Sequence, residues 1–222
     1  MKQNPVWKKE EKCLNLQKKF GDYNDFEKNK SKDPIIANRQ CVYFLTKDIL
    51  EGNNYTLLEV GPGPGHFLWA LKDFAKEVYG LEYSNEMINL CKTQFKSNGR
   101  KVYLKQGTCV DLPYEDNSFD VSLQCDVTRH VGGCWESLCE QIRVSKKYVI
   151  FSGPSFENWD VDDAFEKELS KLLFGINVNR FNFELDRMKA NGVIKNYYYK
   201  DRPNKKDIIE RKILVVEVDN GK

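Results

Sequence analysis

The run Leu57-Leu58-Glu59-Val60-Gly61-Pro62-Gly63-Pro64-Gly65-His66-Phe67 constrains the fold more than any other part of the chain. An apolar stretch that carries an acid near its end passes straight into three alternate glycines, the pattern of a strand, a tight turn and a helix start. Glycines at alternate positions let the backbone take positive φ and let a ligand approach the main chain without meeting a Cβ. In sheets built from alternating strands and helices, such turns lie at the carboxyl ends of the strands, where ligands bind. The run is read as a nucleotide-cofactor loop.

Its flanks decide which nucleotide, because glycine-rich turns are shared by many doubly wound proteins. The NAD-type fingerprint needs glycine where His66 stands, and the P-loop needs a Gly-Lys-Ser/Thr ending that this turn lacks. Glu59, two residues before the first glycine, belongs to neither pattern; a carboxylate there suits a ligand with positive charge near the loop. Val78-Tyr79-Gly80-Leu81-Glu82 is a second strand pattern ending in an acid, placed to accept hydrogen bonds from ribose hydroxyls. A third segment, Gln106 to Asp120 with Asp111-Leu112-Pro113-Tyr114-Glu115-Asp116-Asn117-Ser118-Phe119-Asp120 at its end, follows at the distance of one more helix and strand.

With these three signals in order, residues 55 to 151 resemble the class I S-adenosylmethionine-dependent methyltransferases, in particular the small-molecule branch whose third motif has the form D-A-x-x-L-P-F-x-D-x-S-F-D. The resemblance implies a Rossmann-like, doubly wound α/β fold: a mostly parallel seven-stranded sheet with helices on both faces and a closing antiparallel strand pair. It implies S-adenosylmethionine as cofactor and S-adenosylhomocysteine as product. Glu59, Gly61, Pro62, Gly63 and Gly65 would surround the methionine part, Glu82 would hold the ribose, and Tyr83 and Met87 would flank the adenine. Thr108 and Cys109 fall where the family places an adenine-contacting Asp and a backbone N–H, and Gln124 ends the fourth strand on the cofactor side. Two departures stand out: Thr108 replaces the Asp, and Arg143-Val144-Ser145-Lys146-Lys147-Tyr148 stands where the family usually has Pro-Gly-Gly.

At 222 residues the chain suits a single α/β domain with a modest appendage. The formal net charge of +2 calls for neither nucleic acid nor an anionic membrane. No apolar run approaches the roughly 20 residues that span a bilayer. Seven cysteines without a CxxC pair, and no apolar segment at the start, point to reduced thiols and a cytoplasmic location. A lysine-rich helical arm is expected over residues 1 to 32, and a helix from Pro34 to Leu50. Alternating strands and helices follow: Tyr55–Val60, Phe67–Phe74, Ala75–Leu81, Asn85–Phe95, Val102–Gln106, Phe119–Gln124, Trp135–Val144 and Tyr148–Phe151. Beyond them a helix is expected over Val161–Phe174 and another over Arg180–Ala190, then strands over Val193–Lys200 and Lys212–Val218.

Methyl transfer from a sulfonium is an in-line displacement; the protein supplies position, desolvation and, for a hydroxyl acceptor, a base. No metal is needed. His130, after the fourth strand, is the candidate base, with Asp126 a second candidate to orient or replace it; His66 is more simply a loop-packing residue. Arg129, whose planar fork suits a carboxylate or phosphate, and the aromatics Phe156 and Trp159 are candidates for the acceptor pocket. Cys125 lacks the preceding Pro of cytosine-C5 methylation, and no Asn/Asp-Pro-Pro-Tyr/Phe follows the strand, so nucleic-acid bases are disfavoured as acceptors. The resulting expectation is methyl transfer to an O or N atom of a small molecule, such as a sugar, phosphorylated or secondary-metabolite intermediate. The alternatives are a protein or tRNA methyltransferase that uses the basic arm, and a non-catalytic cofactor-binding module.

Overall fold

The computed structural model describes residues 34–128, 133–152, 178–201 and 212–219. The described elements are α1 (Pro34–Leu50), β1 (Thr56–Val60), α2 (His66–Leu71), β2 (Glu77–Glu82), α3 (Asn85–Ser97), β3 (Tyr103–Gln106), β4 (Phe119–Cys125), α4 (Cys134–Val144), β5 (Ser145–Ser152), α5 (Val178–Ala190), β6 (Ile194–Asp201) and β7 (Lys212–Val218). The seven strands form one sheet in the order β3-β2-β1-β4-β5-β7-β6. The first five are parallel, and β7 runs antiparallel to both β5 and β6. This is the expected Rossmann-like sheet with its closing antiparallel pair. The expected arm over 1–32 and helix over Val161–Phe174 lie outside the described residues.

Strand β1 explains the layering. It is central, so both its faces are covered and its sequence is apolar on both sides. Leu57 packs on one face with Val42, Tyr43 and Leu50 of α1, Phe67 and Leu71 of α2, and Phe95 of α3. Leu58 and Val60 pack on the other with Leu81, Leu112, Phe119 and Val144. A second apolar layer joins α4 and α5 to the closing strands through Leu138, Ile142, Phe181, Leu185, Leu214 and Val216. Because β1 lies between β2 and β4, the connections leaving β1 and β4 diverge at this point. The crevice this opens at the carboxyl ends is where open α/β sheets bind ligands.

Of the element boundaries that differ from the sequence pattern, three have clear local reasons. Helix α2 stops at Leu71 and not Phe74, since the amides of both Phe74 and Ala75 turn back to the Leu71 carbonyl. The next strand starts at Glu77 and not Ala75, after Lys76 N–H bonds to the Tyr55 carbonyl. Strand β5 begins three residues early, at Ser145, with no turn between it and α4. There the buried Ser145 Oγ lies 2.9 Å from Ser122 Oγ of β4, a pairing that anchors the strand in the place of the family's Pro-Gly-Gly.

No described helix is long and apolar enough to cross a membrane. Leu57 is completely buried between α1, α2 and the sheet, so Leu57→Ala is expected to lower stability by about 2–5 kcal/mol, measured by urea denaturation.

Candidate functional site

The loop after β1 is built on two glycines that serve different purposes. Gly61 has φ +72, and a Cβ there would lie 2.4 Å from Cγ2 of Val127, so the loop presses on the chain leaving β4. Its N–H continues the sheet by bonding to the Leu81 carbonyl at 2.8 Å. Gly63 has φ +57, and a Cβ there would meet nothing within 4 Å: the space above it is open. Pro62 fixes the path between them, and its carbonyl accepts the Gly65 N–H that starts α2.

Glu82, the last residue of β2, ties this loop to the next one. Its Oε2 accepts from Gly63 N–H and its Oε1 from Ser84 N–H, both at 2.9 Å. Burial raises its pKa, opposed by these backbone donors. Beside it, the Tyr83 side chain is 51% exposed, while Met87 is buried in the first turn of α3, whose N-cap is Ser84. The end of β3 is fastened to the same corner by Gln106 Nε2 to the Tyr83 carbonyl (3.0 Å) and Gly107 N–H to the Glu82 carbonyl (3.1 Å). Thr108 is half-buried just beyond and bridges to Asp111; Cys109 is buried among Leu58, Val60 and Leu81, where burial pushes its thiol pKa up. An open cradle beside a carboxylate and an exposed ring is the shape a nucleoside requires.

Glu59 lies under the loop, 3% exposed, with Oε2 accepting from Leu68 N–H at 3.1 Å. Burial drives its pKa up to about 8, although the Leu68 amide and the Arg39 guanidinium on α1 oppose the rise. His66, also buried, is pushed down to about 4 by burial and by the same guanidinium, so it is neutral at pH 7 and a poor proton acceptor.

At the end of β4, Asp126 has φ +58, a backbone conformation uncommon for a residue with a side chain, held by its N–H bond to the Ser152 carbonyl at 2.7 Å. Cys125 Sγ lies 3.8 Å from Asp126 Oδ2. The Gln124 side chain is completely buried against α4, where its Oε1 accepts from Ser137 Oγ (2.7 Å) and Gln141 Nε2 (3.1 Å). The structure thus brings Glu59, Gly61, Pro62, Gly63, Gly65, Glu82, Tyr83, Thr108 and Asp126 to the carboxyl edge of the sheet. Arg129, His130, Phe156 and Trp159 lie outside the described residues. Among the described residues no cluster of His, Cys, Asp and Glu could hold a metal ion.

Two participants were not evident in the sequence. Arg39 is one residue of an ordinary amphipathic helix until α1 is laid against β1. The Gln124–Ser137–Gln141 seam did leave a signal, two polar residues at i, i+4 on the core-facing side of α4.

An open, mostly parallel sheet with a glycine loop at its switch point and a carboxylate at the end of β2 is the arrangement found in nucleotide-cofactor-binding α/β proteins. Residues 58–152 match the methyltransferase domain family. An uncharacterized methyltransferase of Mycobacterium tuberculosis is 31% identical over 106 residues, 45% of this chain and 41% of that protein. The Bacillus subtilis methyltransferase YcgJ is 28% identical over 94 residues, 42% of this chain and 37% of that protein. The chain thus matches about two fifths of the length of these curated relatives. The crystal structure of YcgJ superposes with a TM-score of 0.59 at 17% identity, covering 81% of this chain and 98% of that one. A Pyrococcus horikoshii protein gives the same TM-score at 18% identity, covering 92% and 97%. Over residues 58–152 the chain resembles a class I S-adenosylmethionine-dependent methyltransferase domain, on the fold shared with these solved structures. The open space over Gly63, next to the Glu82 carboxylate and the Tyr83 ring, fits that cofactor.

The two glycines separate stability from binding. Gly61→Ala combines positive φ with a clash against a stiff β-branched side chain and is expected to cost about 2–4 kcal/mol. Gly63→Ala meets only the backbone penalty, about 1–2 kcal/mol, so it should remain folded yet lose cofactor binding; paired thermal melts and calorimetric titrations measure both.

Glu59 gives a pH signature. Its carboxyl ordinarily titrates near 4.5 and in the fold near 8, so the folded chain holds a proton in between that the unfolded chain has released. The stability from this proton is complete below pH 4.5 and lost as pH rises through 8. Relative to Glu59→Gln, the wild type should lose up to about 1.4 kcal/mol per pH unit across that window, followed by urea denaturation at a series of pH values.

Proposed function

We propose that this chain transfers the methyl group of S-adenosylmethionine to an O or N atom of a small-molecule acceptor. The observation that carries the reading is the Glu82 carboxylate, fixed by Gly63 and Ser84 amides beneath an open glycine loop. A carboxylate whose backbone bonds are already made is preorganised, and its remaining lone pairs suit the paired hydroxyls of a ribose. When bound, the cofactor supplies a methyl group made electrophilic by its positively charged sulfur.

The protein's part is position, desolvation and proton handling. Glu82 and Tyr83 would hold the nucleoside, and Thr108 would border the adenine. The half-buried Gly61–Gly63 segment would keep water from the far side, and Glu59, protonated in the fold, would support the loop from beneath through the Leu68 N–H. The acceptor would lie at the carboxyl ends of β4 and β5, beside Asp126 and the segment that carries Arg129 and His130. Uncommon backbone conformations cluster at working sites, which supports giving Asp126 a role toward the acceptor. His130 remains the candidate base, because its ordinary pKa suits a proton acceptor near neutrality. Phe156 and Trp159 would exclude water from the acceptor.

Calorimetric titration of S-adenosylmethionine and S-adenosylhomocysteine tests this reading. The wild type is expected to bind in the micromolar range and Glu82→Ala at least tenfold more weakly, with a thermal melt confirming that the variant is folded. An acceptor screen with the wild type, His130→Ala and Asp126→Asn then assigns the base as the variant that loses turnover while keeping its affinity for the cofactor. A folded wild type that binds neither compound would overturn the proposal.

A further inference from the structure

Arg143, in the last turn of α4, has all five of its N–H donors engaged. Nε bonds Glu140 Oε1 (2.7 Å), Nη1 bonds the Tyr114 carbonyl and Asp116 Oδ1 (both 2.8 Å), and Nη2 bonds the Leu112 carbonyl (2.9 Å) and Glu140 Oε2 (2.7 Å). Glu140 Oε2 also accepts the Leu112 N–H at 2.7 Å, and the Arg143 carbonyl accepts the Asn117 N–H at 2.9 Å. One turn of α4 therefore grips the segment after β3 at Leu112, Tyr114, Asp116 and Asn117.

That segment begins at the cofactor corner. Gly107 is bonded to the Glu82 carbonyl, Thr108 and Cys109 follow, and Leu112 packs in the same apolar layer as Val60 and Leu81. The stretch from 107 to 118 contains no strand or helix of its own. The order of the wall beside Glu82 and Tyr83 thus depends on what holds its far end. A guanidinium suits this task because its planar fork donates in several fixed directions at once; a lysine ammonium has three donors at one point and cannot span these acceptors.

We propose that Arg143 is a positioning residue for the cofactor site: by gripping residues 112–117 it holds the Thr108–Cys109 wall in place against Glu82 and Tyr83. The inference rests on reading this corner as the S-adenosylmethionine site. Asp116 is exposed and its share in the grip is small, since ion pairs in water contribute little. The carbonyls of Leu112 and Tyr114 and the carboxylate of Glu140 carry the grip.

Hydrogen exchange on the ligand-free protein and calorimetry with S-adenosylhomocysteine test it together, using Arg143→Lys and Arg143→Met. Exchange of the amides of 108–117 is expected to rise at least tenfold in both variants while β1 and α2 keep their protection. Affinity for S-adenosylhomocysteine is expected to fall about tenfold or more. Two controls separate positioning from general weakening. Asp116→Asn should bind within twofold of the wild type. Leu185→Ala, which opens a cavity in the α5 layer, should lose thermal stability at unchanged affinity.

Wild-type affinity in Arg143→Lys and Arg143→Met would overturn the inference. So would an equal loss of protection across the whole sheet, which would make Arg143 a general stabiliser. A wild type that fails to bind S-adenosylhomocysteine would instead remove the cofactor reading, and with it the site that Arg143 is said to position.

Discussion

The approach of the glycine loop to the chain leaving β4 is the contact on which the rest of the site depends. With a Cβ at Gly61 only 2.4 Å from Val127, the loop and the end of β4 cannot both keep their places unless residue 61 is glycine. That closeness turns the loop over the edge of the sheet and leaves Gly63 facing open space. It also brings Gly63 N–H to the Glu82 carboxylate, joining the carboxyl ends of β1 and β2 through one side chain. The loop, the Glu82 carboxylate and the end of β4 form one connected unit.

Polar groups buried around this unit are handled in three ways. Glu82 keeps its carboxylate supplied with two backbone donors, from Gly63 and Ser84. Glu59 has one described donor, Leu68 N–H, and burial dominates its titration. Burial raises both carboxyls, at the ends of adjacent strands, and backbone donors oppose the rise in each. Gln124 and its partners Ser137 and Gln141 do a third job, linking β4 to α4 through hydrogen bonds within the core.

Much of the fold was legible because its signals are periodic and local. The helix over Pro34–Leu50 and the strand over Lys212–Val218 follow from spacing and stop residues, and the alternation in between leaves few topologies. The glycine loop and the acid of β2 were legible as motifs. Other features depend on distant segments coming together. Arg143, read only as the start of a segment that departs from the family's Pro-Gly-Gly, shows its grip once Leu112, Tyr114 and Asp116 come against α4 from 31, 29 and 27 residues earlier. Arg39 became relevant to Glu59 only once α1 was packed. Gln124, read as a cofactor-side residue from its place in the strand, has its side chain occupied by α4, since strand position alone does not say which helix covers which face.

The direct joint between α4 and β5 has a consequence for how this chain can change over time. Where a flexible turn links helix to strand, an inserted or deleted residue is absorbed in the turn. Here Val144 ends the helix and Ser145 is already paired within the sheet. A change of one residue at this point falls within β5, whose pairing with β4 already shifts register between the Phe119–Ser145 and Val121–Tyr148 pairs; beyond that shift, a slip by one position would turn every inward side chain outward. The length of the chain at this joint is therefore set by the pairing of β5 and not by a turn.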